Sequence, residues 1–555
     1  MTLFRYSLTL AAVAAASLSF AQPGGSPLGG RDSLVLENER IEDVIESEKP
    51  FIKPPYQEIK KGPDSKNTYN SRDFYVGTNF EPPPPDIKPA ELPKPEPFTN
   101  QFIKLGIGRF VTPYAHLYLH NGKDATRNYG LDFTHFSAHR DKVPLRRFRE
   151  DYGTAQGRIM TDAFTAAAKL YVFNTSYFNY ADSAFIDNAA LREDSLRTGF
   201  TRLALGVSLA SSPTLGERYF YDAGLQVKSI FGNRGNTETQ LRVLPTGGYK
   251  ITDNVSIQLN TELNVITGKV GNLNQGRFYA AASPFIYFNN GTLSLKGGIQ
   301  TNFFANRADS PSVSNLFPIG EITYQVAPDV FTLVAGLSSG MDINSYYDQL
   351  FVNRYLGQDV LIRPTVERFR VYLGGKGNLN QGLDYSVTAY YKQVANQLIY
   401  RSFDSVYFRP LYDSLTRVTG LHAELNYDKS EHLRTGTAVT INLYNTANAD
   451  SLTPNAFFLT PIRVDFFAAY KFLEDKLTAR AELSLFGATP VGIDGNGELI
   501  RRNLFPNISV YGDYRITKGF SVYLWAGNLI GINYQRWLNY PERGFDIQGG
   551  ITLAF

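Results

Sequence analysis

From Gln101 to Phe555 the chain alternates apolar and polar residues with a period of two. Val255, Ile257, Leu259, Thr261, Leu263 and Val265 fall on one face, and Ser256, Gln258, Asn260, Glu262 and Asn264 on the other. Leu477, Ala479, Ala481, Leu483 and Leu485 likewise oppose Thr478, Arg480, Glu482 and Ser484, and Arg368, Arg370, Tyr372 and Lys376 oppose Phe369, Val371 and Leu373. This period predicts strands with one apolar and one polar face. Two architectures satisfy it: a soluble antiparallel sandwich or solenoid, and a transmembrane barrel with apolar-out, polar-in strands.

The connections separate the two. Tight links at Asp253-Asn254, 289–292, 327–329, 474–476 and 517–519 alternate with long ones near 183–199, 342–365, 446–459, 487–504 and 530–543. A sandwich has no reason to place its long loops on every second connection, whereas an outer-membrane barrel does. Strands are predicted near 102–110, 112–120, 129–139, 155–168, 170–181, 200–212, 219–231, 236–252, 255–267, 277–289, 291–306, 316–327, 330–341, 366–378, 382–399, 415–428, 433–445, 461–473, 476–487, 505–516, 520–530 and 545–555. The predicted fold class is therefore all-β: a transmembrane antiparallel up-and-down β-barrel of about 22 strands (range roughly 16–22), an even number that returns the C-terminus to the side where the barrel starts. Ile551, Leu553 and Phe555 share the lipid face of the last strand.

The N-terminal residues are of another kind. Arg5, an apolar run from Leu8 to Leu18 and the small-x-small site Ser19-Phe20-Ala21 predict a signal peptide over 1–21. The run is too short to span a bilayer comfortably. Residues 22–100 are polar, charged and unpatterned, and Phe80–Pro97 contains eight prolines. Such a segment cannot bury enough apolar surface to offset its ordering entropy. It is predicted to be a largely unstructured periplasmic arm; extended, the eighteen residues of Phe80–Pro97 reach roughly 55 Å. The barrel occupies 101–555. The absence of cysteine excludes disulfide scaffolds and thiolate metal sites. A net charge of +3 gives no electrostatic case for nucleic acid.

The closing stretch Ser521–Phe555, with Tyr540-Pro541-Glu542-Arg543-Gly544-Phe545 leading into a strand that ends on Phe555, resembles the last hairpin of TonB-dependent outer-membrane receptors. Phe102–Leu119 is similar to the opening of plugless, receptor-like barrels of Bacteroidota. The resemblance implies a 22-strand barrel in the outer membrane with both termini periplasmic, and mediated or gated uptake of a solute. It implies contacts with outer-membrane lipid, and with the assembly machinery through Ile551, Leu553 and Phe555. The family also carries a folded plug before the barrel; residues 22–100 show no recognisable one. Asp32–Glu39 bears a weak likeness to a TonB contact segment, and the arm is a candidate for docking a periplasmic protein.

Candidate chemistry is sparse. Six histidines are present, four of them between His116 and His139. His116 and His120 share a face about 13 Å apart, too far for one metal, although a cross-strand pair such as His120 with His135 can meet. No HExxH motif occurs, and no catalytic residue, metal or cofactor is assigned. Arg368, Arg370, Arg463, Asp465, Arg480 and Glu482 are candidate lumen-lining residues. Tyr346, Tyr347, Arg354, Arg536 and Trp537 are candidate binding residues on the long extracellular loops, where aromatics and arginines combine. The leading expectation is solute uptake. A structural, assembly or secretion-accessory barrel is the alternative, and a membrane-embedded hydrolase the remote one.

Overall fold

The computed structural model describes residues 101–555 except 122–125, 141–144, 181–195, 213–217, 307–312, 329, 380–381, 403–405, 429–431, 448–455, 494–497 and 533. The predicted signal peptide and arm lie outside the described residues. One antiparallel sheet contains 22 strands. They are β1 (Gln101–Gly108), β2 (Thr112–His120), β3 (Arg127–Ala138), β4 (Phe148–Met160), β5 (Phe164–Phe178), β6 (Arg197–Ser211), β7 (Tyr219–Gly232), β8 (Thr237–Lys250), β9 (Val255–Val270), β10 (Leu273–Asn289) and β11 (Leu293–Asn306). The second half comprises β12 (Val313–Ala327), β13 (Phe331–Asp342), β14 (Thr365–Leu379), β15 (Leu383–Ala395), β16 (Thr416–Tyr427), β17 (Leu433–Thr446), β18 (Ile462–Phe472), β19 (Leu477–Phe486), β20 (Phe505–Thr517), β21 (Phe520–Gly527) and β22 (Asp546–Ala554). Each strand pairs with the next, and β22 pairs back onto β1 from Phe102↔Ala554 to Gly108↔Gln548, so the sheet closes.

Burial reverses the order of a soluble protein. In β9, Ile257, Leu259, Leu263 and Val265 are exposed on the outer face, while Ser256, Gln258 and Asn264 are buried on the inner one. The same holds for Leu203, Leu205, Val207 and Leu209 against Arg202 and Ala204 in β6. So much exposed apolar surface around a closed sheet needs lipid rather than water. Among the described residues no helix is long and apolar enough to cross a membrane; the strands form the wall.

The connections fall at two ends. The tight links 161–163, 251–254, 290–292, 473–476 and 518–519 share one end, and the long links 343–364, 396–415, 487–504 and 528–545 share the other. At 251–254, Thr252 Oγ1 accepts from the N–H groups of Asn254 and Val255, which closes the turn locally. The long-loop end is not uniformly long: 109–111, 233–236 and 271–272 are tight.

Two boundaries differ from expectation for a local reason. The break expected near residue 169 lies at 161–163, where Thr161 forms the turn; Lys169 is inside β5. The strand expected to run to 399 ends at Ala395, because Asn396 takes a φ of 52° and turns the chain. A hairpin of Gln397–Ser402 with Phe408–Asp413 follows it. Shorter hairpins, Thr489–Ile493 with Leu499–Arg502 and Gln535–Trp537 with Tyr540–Pro541, occupy two other long connections.

Candidate functional site, a loop-filled mouth

The link from β13 to β14 carries a short helix, α1 (Tyr346–Val352). Ser345 caps it by accepting from the Asp348 N–H, and the first-turn acid Asp348 suits the helix N-terminus. Tyr346, Tyr347, Gln349 and Leu350 are buried. The helix therefore does not stand out in solvent as an exposed binding loop. It lies against the inner wall, and the wall holds it with charged side chains.

Glu238 of β8 accepts from the backbone N–H of Tyr347 at 3.1 Å and from Arg277 of β10 at 2.5 Å. Arg277 also donates to the Asn344 carbonyl at 2.7 Å. Both side chains of this ion pair are 1% exposed. Lys228 of β7 bonds Asp348 at 3.1 Å, and Glu150 of β4 bonds Arg354 at 3.0 Å. Arg202 of β6 places its guanidinium 3.4 Å from the centre of the Phe351 ring, with Phe173, Phe200 and Tyr347 around it. Five strands thus grip one connection. A buried charge with its partner removed is costly, so the grip is specific to this loop placement.

Glycine makes one contact possible. Gly271, in the tight β9–β10 link, has a φ of +61°, and a Cβ there would lie 2.3 Å from Asp359 Oδ1. Asp359 in turn accepts from the Asn272 N–H, and Gln275 Nε2 donates to the Val360 carbonyl at 2.8 Å. Only a residue without a side chain lets the wall approach this closely.

A second layer covers the first. Tyr355 stacks on Tyr540 with ring centres 3.5 Å apart, and Tyr180 meets Tyr540 edge-on. Trp537 packs against Phe408, Phe458 and Tyr400. Tyr400 also donates to Gln349 of α1. Tyr540 donates to the Val406 carbonyl at 2.6 Å, and Arg146 donates to the carbonyls of Pro541 and Glu542. Burial pushes the phenols of Tyr346 and Tyr412 up to about 12, and raises those of Tyr400 and Tyr540 well above their ordinary value. Links from β3–β4, β5–β6, β13–β14, β15–β16, β17–β18 and β21–β22 thereby meet in one aromatic body.

The expected loop residues sit within this body. Tyr346, Tyr347 and Trp537 are buried, Arg354 is bound to Glu150, and Arg536 lies over Trp537. The expected lumen residues sit on the opposite wall. Arg463 holds Asp465 through two bonds of 2.6 and 3.2 Å within β18, and Ser484 adds a third to Asp465. Arg480 holds Glu482 at 2.8 Å within β19, with Ser509 of β20 donating to Glu482. The charges pair along each strand rather than across strands. Arg370 bonds Glu367, but Arg368 is the extra residue of a β-bulge and is exposed. The bulge moves Glu367 into line with Arg370, so strict alternation fails there. Ile551, Leu553 and Phe555 are exposed on the outer face.

His116, His120 and His135 are divided between the two faces of the wall. His116 and His120 lie on the inner face, bonded to Asp132 and Asn128, whereas His135 is on the outer face with Asp151; His120 and His135 do not meet. Among the described residues no three His, Asp or Glu side chains converge.

A closed 22-strand antiparallel barrel of this kind has the fold of TonB-dependent outer-membrane receptors. The FrpB iron transporter from Neisseria meningitidis (F5-1 variant) superposes with a TM-score of 0.62 at 11% identity, covering 82% of each chain. The ferric-catecholate import receptor Fiu from E. coli K12 gives 0.60 at 10% identity, again covering 82% of each. The ferripyoverdine receptor of the Pseudomonas aeruginosa outer membrane, bound to ferripyoverdine, gives 0.61 at 11% identity over 82% of this chain and 71% of that one. No family model and no curated protein matches the sequence.

Proposed function

We propose that this chain is an outer-membrane, receptor-like barrel that gates uptake of a solute, with the 343–364 connection as its gate and both termini on the periplasmic side. The observation that carries the reading is the grip of β4, β6, β7, β8 and β10 on that connection. A loop held by buried charges on the far wall has two states, held and released, which is what a gate requires. The structural neighbours named for iron transport and siderophore binding support import of a solute over an enzymatic role. The self-paired charges on β18 and β19 fit a hydrated path beneath the gate.

Solute flux through the purified barrel in liposomes tests this. The intact chain is expected to pass little, and replacement of residues 344–363 by a short Gly-Ser linker is expected to open it. Free flux through the intact chain, or none after the replacement, overturns the gate. Flux that appears only when residues 22–100 are deleted assigns gating to the arm. No flux in any form, with a periplasmic protein retained by the arm, favours the assembly role.

A further inference from the structure

Arg202 of β6 is held in the inner wall by rings alone. Its side chain is 1% exposed. Among the described residues it makes no hydrogen bond and no ion pair, and its Nε and Nη1 groups are sealed from solvent without an acceptor. The guanidinium lies 5.3 Å from the centre of the Phe173 ring and 4.8 Å from that of Phe200, both in the wall. It lies 5.5 Å from the centre of Tyr347 and 3.4 Å from that of Phe351, both on α1. Asp348, the acid of α1, is engaged by Lys228 and Ser345 instead.

Aromatic faces attract a guanidinium through their quadrupoles, but they accept none of the five N–H donors along its edge. A buried donor without an acceptor is costly, and a charged one more so. The arrangement therefore holds α1 and leaves the arginine unsatisfied at the same time. Phe351 is the outermost of the four rings: it is 43% exposed, whereas Phe173, Phe200 and Tyr347 are buried. Turning this one ring aside uncovers the guanidinium while the wall stays as it is.

We propose that Arg202 is the group that captures the solute, that the solute carries an oxyanion, and that its capture displaces Phe351 and frees the gate. Paired N–H donors of arginine match two oxygens of a carboxylate or a phosphate. An oxyanion satisfies donors that the rings leave idle, and a neutral solute does not. A ligand shifts a two-state equilibrium only by binding one state better, and here the oxyanion and the Phe351 ring compete for the same guanidinium. The proposal rests on the gate reading of 343–364, to which it adds the class of solute and the residue that meets it.

Titration calorimetry of the full chain in detergent, with succinate, inorganic phosphate and neutral succinamide as probes, tests it; protease cleavage within 343–364 reads release on the same samples. Succinate or phosphate is expected to bind and to speed that cleavage, and succinamide to do neither; the better oxyanion of the two assigns carboxylate or phosphate. Phe351→Ala removes the competing ring and is expected to bind that oxyanion about tenfold more tightly, the scale of one cation–π contact. Arg202→Gln, alone or combined with Phe351→Ala, is expected to abolish binding, and an Arg417→Gln control on the exposed outer face to keep it. The proposal is overturned if Phe351→Ala binds no more tightly than the intact chain, if Arg202→Gln or succinamide binds equally well, or if neither oxyanion binds any of these chains. Binding that tightens in Phe351→Ala and vanishes in Arg202→Gln, with no change in cleavage or flux, keeps Arg202 as an oxyanion site and overturns the gate instead. Heat-modifiable gel mobility reports folding of each variant.

Discussion

The inner wall from β4 to β10 and the inner wall from β14 to β20 both present arginines beside carboxylates, but they bond different things. On the first, Glu150, Lys228, Glu238 and Arg277 reach out of the sheet to a loop, and the Arg277–Glu238 pair is sealed from solvent. On the second, Arg463–Asp465 and Arg480–Glu482 pair with a residue two positions along the same strand. The first arrangement stores the position of a distant segment. The second satisfies itself and leaves the wall as it was. Identical residue types thus give a latch in one place and a lining in the other, and the partner decides which.

The comparison breaks most visibly at Arg277. Arg277→Met leaves Glu238 buried and uncompensated, a cost of about 3–5 kcal/mol. It is expected to release 343–364, read as new protease cleavage there and as increased flux. Replacing both partners, as Glu238→Leu/Arg277→Met, removes the stranded charge and is expected to recover much of that loss.

Alkali is the next lever. Burial raises the phenol pKa values of Tyr346 and Tyr412 above their ordinary value of 10, to about 12. Groups with raised pKa values favour the held state fully below the released-state value and lose that contribution as pH climbs through the held-state value. The cap is therefore expected to be intact below about pH 10 and to open between about pH 10 and 12, with tyrosinate absorbance and flux rising together. Tyrosinate absorbance that rises without any gain in flux contradicts this.

Gly271→Ala is a smaller perturbation. It asks an alanine to keep a positive φ, at about 1–2 kcal/mol, and pushes against Asp359. A partial gain in flux is expected, and none if the Asp359 contact plays no part in holding the gate. The smallest effect belongs to the second wall. Arg480→Gln is expected to cost about 1 kcal/mol and to leave the gate shut. In the background lacking 344–363, Arg463→Gln is expected to raise preference for cations, because Asp465 then stands alone; reversal potentials in planar bilayers measure it.

The strands were legible because a wall with lipid on one side and polar groups on the other imposes the period of two on every residue. Lys169 shows where that reading slips. It is an inward residue of β5 among small apolar neighbours, and a lone cation there looks like a turn. The hairpin Gln397–Ser402 with Phe408–Asp413 was hidden for the opposite reason, since its own alternation continues that of β15 and only the φ of Asn396 ends the strand. The gate was legible as residues and not as a place. Tyr346, Tyr347 and Arg354 stand out in the sequence, but nothing local says that their loop folds inward onto Glu238 and Arg277.

The seam between β1 and β22 has a consequence for the order of events in folding. The Phe555 N–H donates to the Gln101 carbonyl at 3.0 Å, so the ring is completed by the first and last described residues. Joining ends so far apart adds little to the equilibrium cost, because closure entropy grows only with the logarithm of length. It weighs on the rate instead, since every intervening hairpin has to be in register before the two edges can find each other. Until that moment both edges carry open backbone donors and acceptors that any other strand can take up. The last nine-residue strand is therefore the part of this chain whose late arrival decides between a closed ring and an aggregate.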